Sequence, residues 1–67
     1  MNKMQLEGQW LKLKGSAQEQ WGKLTNDDIE RVLGKRDKLV GTVKERYGIT
    51  RQEAEQQVDE WSAKHMQ

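Results

Sequence analysis

The chain has 67 residues, 33% apolar and 34% charged, and its twelve basic and eleven acidic side chains leave a formal net charge of +1. That is one domain, residues 1–67, near the lower limit for an independent core, without the basic excess of a non-specific nucleic-acid binder. The absence of cysteine removes disulfides, thiolate nucleophiles and thiolate metal sites together.

No apolar stretch approaches the roughly 20 residues of a membrane span. Met1-Asn2-Lys3-Met4 opens no long apolar run either, so no leader, no membrane and a cytoplasmic location are expected. Leu6, Trp10, Leu13, Ala17 and Trp21 then recur every three or four residues and form one stripe of a first helix. Gly22 stands where a left-handed C′ residue would end it. In Leu24-Thr25-Asn26-Asp27-Asp28-Ile29, Thr25 is the expected N-cap and Asp28 closes a capping box. Leu24 and Ile29 are placed to staple the start of this second helix, which is expected to bury Ile29, Val32 and Leu33 before Gly34 breaks it. A third helix carries Leu39, Val40, Val43 and Tyr47 and ends at Gly48. Thr50 and Glu53 repeat the cap-and-box signal for a fourth, which buries Ala54, Val58 and Trp61. Three tryptophans are large anchors that argue against a disordered chain. Heptad spacing of Ile29, Leu33, Arg36, Val40, Val43 and Tyr47 also runs straight through Gly34, so an alternative joins the second and third helices into a three-helix bundle.

A shift of 26 residues lays Gly8, Lys12, Leu13, Gly15, Glu19 and Gly22 on Gly34, Lys38, Leu39, Gly41, Glu45 and Gly48. One residue shorter, Leu24, Thr25 and Asp28 fall on Ile49, Thr50 and Glu53. This reads as a duplicated helix–turn–helix unit, about residues 6–33 and 34–64. Four short helices in two crossed αα-hairpins would bury both stripes. The identities Gly8, Lys12, Gly15 and Glu19 lie on a face opposite the Leu6–Trp21 stripe, with Lys38, Gly41 and Glu45 equivalent in the second copy. Glycine in an exposed helix interior costs roughly 1 kcal/mol relative to alanine. Gly15 and Gly41 therefore either touch another helix of the same bundle, or persist neutrally, or admit a partner. These seven residues form a candidate partner face.

Groups for chemistry are sparse. His65, the only histidine, sits in a terminal turn with no second ligand near it in sequence. Asp27-Asp28 and Asp59-Glu60 are neighbours about 100° apart on a helix and do not face each other as a catalytic dyad must. Lys35, Arg36 and Lys38, with Arg31, Lys44 and Arg46, make the middle locally basic, but Glu30, Asp37 and Glu45 are interleaved. No catalytic residue, cofactor or metal is expected. Candidate nucleic-acid contacts are Lys23, Lys35 and Arg51 beside the Gly22 and Gly48 turns.

Glu7-Gly8-Gln9-Trp10, Leu13-Lys14-Gly15 and Gln20-Trp21-Gly22-Lys23-Leu24-Thr25-Asn26-Asp27-Asp28 resemble the CsbD-like family. So do Gly34-Lys35-Arg36-Asp37-Lys38-Leu39-Val40-Gly41 and Glu45-Arg46-Tyr47-Gly48, and the likeness covers about residues 4–61. The resemblance implies a small bacterial protein associated with general stress responses, and a fold similar to sterile-alpha-motif and helix-hairpin-helix domains. It supplies a context rather than a mechanism. Gly48-Ile49-Thr50 looks like a helix-hairpin-helix turn, except that Thr50 replaces the usual second glycine. The expectation is a non-enzymatic accessory protein, monomeric or weakly oligomeric, that binds or protects a macromolecule, protein before nucleic acid. The alternative is a weak DNA-backbone binder through those turns.

Overall fold

A computed structural model describes residues 3–65, with side chains from Leu6 onward. Met1 and Asn2, on which the expected absence of a leader partly rests, lie outside the described residues. Five helices follow in order: α1 Lys3–Gly8, α2 Trp10–Gln20, α3 Asn26–Val32, α4 Arg36–Tyr47 and α5 Arg51–His65. The described residues are all-helical, and the four expected helices correspond to α2 to α5. Each helix packs chiefly on the next in sequence, and α4 with α5 is the most extensive pair. No helix among the described residues is long and apolar enough to cross a membrane.

Expectation and structure part at four places. The first helix is not continuous: Gln9 interrupts it, and α1 ends at Gly8. The cause is tertiary. A Cβ placed on Gly34 would lie 2.6 Å from Glu7 Cα and 3.0 Å from the Leu6 carbonyl oxygen, so α1 presses its backbone against the α3–α4 turn. Leu6 and Trp10 stay on one buried stripe across the break.

Leu33 is the second departure. It takes a left-handed backbone, φ 52°, with Gly34 following at φ 75°. This ends α3 at Val32, excludes the continuous three-helix alternative and leaves Leu33 59% exposed rather than buried. Third, α2 ends at Gln20, and Gly22 is not in the left-handed region. The Trp21 N–H instead donates to the Ala17 carbonyl, so no left-handed residue is needed. Fourth, only half of the second capping box forms. The Glu53 N–H donates to Thr50 Oγ1 at 3.1 Å, but no bond from the Thr50 N–H to Glu53 occurs among the described residues.

The first box is complete. The Asp28 N–H donates to Thr25 Oγ1 at 3.1 Å, and the Thr25 N–H donates to Asp28 Oδ2 at 3.0 Å. Gly48 closes α4 in the left-handed region at φ 62°, where a side chain would be strained. The core holds Leu6, Trp10, Leu13, Ala17, Trp21, Leu24, Ile29 and Val32 from the first half. Leu39, Val40, Val43, Ala54, Val58 and Trp61 complete it from the second. Full burial of a Val or Leu contributes about 1.5–3 kcal/mol each. Trp21 meets Trp61 edge-on, with ring centroids 5.3 Å apart, and its Nε1–H donates to Gln57 Oε1 at 3.0 Å. Trp10 Nε1–H donates to the Ile29 carbonyl at 3.2 Å. Trp10 and Trp21 thus bury their rings and satisfy their polar edges across helices, whereas Trp61 Nε1 and Ser62 Oγ are buried without a hydrogen-bond partner among the described residues.

Candidate functional site

The spacing that groups Lys12, Gly15 and Glu19 on α2, and Lys38, Gly41 and Glu45 on α4, holds in the helices. Gly8 lies across the Gln9 break from the first set. The two sets do not merge into one face, because they line different grooves, with α3 residues contributing to both. Glu19 is exposed outside either groove.

The α3–α4 groove is lined by Arg31, Leu33, Lys38, Gly41, Thr42 and Glu45. Its apolar share comes from Leu33, the Gly41 backbone and the stems of the charged residues. Thr42 Oγ1 donates to the Lys38 carbonyl at 2.7 Å, so its hydroxyl is used within the helix. A Cβ added at Gly41 would meet nothing within 4 Å, and the same holds at Gly15. That overturns the reading of these glycines as contacts to another helix of the bundle.

The α2–α3 groove includes Leu11, Lys12, Gly15 and Ile29. Leu11 is 83% exposed. Two polar pairs beside it are already matched: Lys14 Nζ donates to Glu30 Oε1 at 3.2 Å, and Gln18 Nε2 to Asn26 Oδ1 at 2.9 Å. Sequence reading missed Leu11 and Leu33 as surface residues. Leu11 was legible, since it falls one position after Trp10 and so off the buried stripe. Leu33 was not, because its spacing fits that stripe and only the left-handed backbone turns it outward.

The expected nucleic-acid contacts are partly engaged elsewhere. Lys23 Nζ sits 5.1 Å from the Tyr47 ring centroid, and the Lys23 N–H donates to Tyr47 Oη. Arg51 pairs with Glu55 at 2.9 Å and approaches Asp37 at 3.9 Å. Lys35 is exposed at the N-cap of α4, without a side-chain cap bond.

The titratable groups serve structure. Asp28 accepts two bonds from Arg46, Nε and Nη2 each at 2.9 Å, besides the Thr25 N–H. The Arg46 bonds first, and the Thr25 N–H second, hold its carboxyl down from the usual 3.8 to about 2. Asp59 pairs in the same two-pronged way with Arg36, at 3.0 and 3.1 Å. Each acidic neighbour pair is thus split, one member in an ion pair and Asp27 or Glu60 exposed. His65 lies with its ring centroid 5.6 Å from that of Trp61. Among the described residues no group of three His, Cys, Asp or Glu side chains could hold a metal ion.

A family model described as CsbD-like matches residues 4–56. UPF0337 protein YjbJ of Escherichia coli O6:H1 is 51% identical over 65 residues, covering 97% of this chain and 94% of that protein. A UPF0337 protein of Pectobacterium atrosepticum is 52% identical over the same shares. One from Protochlamydia amoebophila is 38% identical and is covered over 98% of its length.

Proposed function

Because the chain belongs to the CsbD-like family, we propose that it is a stress-associated accessory protein that works without catalysis, by binding or shielding another macromolecule. One observation supports this most. Among the described residues the two large apolar side chains left in solvent, Leu11 and Leu33, each line a groove beside a helix glycine with open space over it. Exposed leucines scattered singly are ordinary; leucines that share grooves with Gly15 and Gly41 offer apolar area with room for an incoming backbone. The chemistry inside the fold points the same way. Its buried carboxylate, Asp28, accepts three bonds from Arg46 and Thr25 and is engaged in holding the fold. A protein partner is favoured over nucleic acid, since Lys23 and Arg51 are already engaged.

A photo-crosslinking side chain at Leu11, compared with one at exposed Gln52 on α5, tests the reading in cells under stress. Discrete crosslinked species at Leu11 and not at Gln52 are expected. No crosslink at Leu11, or a purified activity abolished by changing one polar side chain, would overturn it.

A further inference from the structure

Along α4, Gly41 stands between Lys38 and Glu45 at a spacing of three and four, so all three share one helix face. They line a single groove with Arg31, Leu33 and Thr42. Lys38 and Glu45 are exposed, and neither enters an ion pair among the described residues. Seven residues of rise separate them by about 10 Å, too far to pair with each other. The α4 wall of the groove therefore carries a cation at one end, an anion at the other and a gap between them, and Arg31 adds a cation from α3.

The geometry points to a second copy of this chain as the occupant of the α3–α4 groove. A two-fold axis near Gly41 sets the two α4 helices antiparallel and inverts the charge order. Lys38 of each copy then lies at Glu45 of the other, the self-complementarity that a closed symmetric pair requires. Gly41 lets the two backbones approach closely, into space that no other described element fills. Leu33, at the edge of the groove, gains cover. A uniformly acidic ligand fits less well, because Glu45 would oppose it at one end. The α2–α3 groove lacks this pattern, as Lys14 and Glu30 already pair within the chain. One groove is small beside the roughly 800 Å² per partner of a stable interface, so the dimer is weak. The dimer takes the Leu33 groove that the accessory reading also offers to a partner and leaves the Leu11 groove open; a dimer without other partners, or a monomer with them, would each separate the two.

Sedimentation equilibrium of the full chain at low salt, from low micromolar to millimolar protein, tests this. The apparent mass should rise with concentration toward twice the monomer value, and less so in high salt. K38E alone and E45K alone should each weaken association about tenfold or more, by setting like charges together. An equimolar mixture of the two should regain wild-type association, because both contacts are again between opposite charges. G41A should also weaken association while raising the unfolding temperature of the dilute monomer. A mass independent of concentration, single variants that associate like wild type, or a mixture no stronger than either variant would overturn the proposal. So would a monomer that takes an acidic peptide in this groove.

Discussion

Seven residues of α3 and fifteen of α5 form the second arms of the two hairpins, while their first arms, α2 and α4, have eleven and twelve. Helices much shorter than about 12–15 residues are marginal alone in water. α5 meets that length and buries Ala54, Val58, Trp61 and Ser62 over successive turns. α3 does not, and it is held by contacts from elsewhere. Its start carries the full Thr25–Asp28 box, Arg46 reaches over from α4, Lys14 pairs with Glu30, and Trp10 bonds the Ile29 carbonyl. The same motif is thus stabilised in two ways, by length in one hairpin and by borrowed polar contacts in the other.

The largest break in this comparison falls at the joint. Gly34→Ala forces a Cβ into the α1 backbone at a left-handed residue. It should cost about 3 kcal/mol, from strain and overpacking together, read as a lower urea midpoint. Asp28→Asn removes the contact on which α3 leans and should cost about 2 kcal/mol, below the range for fully buried pairs because Arg46 is half exposed. The pH response carries the same sign. Asp28 has a depressed folded value, so its contribution is complete above the usual 3.8 and is lost as pH falls toward about 2. Acid unfolding of Asp28→Asn should be correspondingly less steep across that window.

Gly15→Ala and Gly41→Ala compare the first arms directly. Both added methyl groups meet open space, so each should stabilise the monomer by about 0.4–1 kcal/mol in thermal unfolding. A loss at either position would show that one arm is packed differently from the other. The smallest effect belongs to the second hairpin's own ion pair. Asp59 is largely exposed, and Asp59→Asn should cost less than about 1 kcal/mol, well under the matching change at Asp28.

What was legible in the sequence was local. Thr25 and Asp28 announce a helix start because a capping box needs residues only three apart, and Gly48 announces an end for the same reason. The stripes that became the core follow from helical spacing. Gln9 gave no sign of its break, since Leu6, Trp10 and Leu13 keep their phase across it and the cause lies at Gly34. Arg46 gave no sign of meeting Asp28, 18 residues away, because charge patterning speaks for neighbours on one helix. The grooves were half visible: helical spacing put Lys38, Gly41 and Glu45 on one face, but only the packing of α3 shows that Leu33 walls it.

The packing of each helix chiefly on its successor also sets the kinetics of folding. Contacts between neighbours in sequence require little loop closure, and such topologies fold in microseconds to milliseconds. With no proline in the chain, isomerisation adds no slow phase of tens of seconds. The contact that must wait is the one joining the end of α2 to α5, where Trp21 meets Gln57 across 36 residues. Stopped-flow fluorescence should therefore show a single fast refolding phase, reported by the burial of Trp21 against Trp61. A chain that refolds this way is expected to regain its shape within a second once denaturing conditions are relieved.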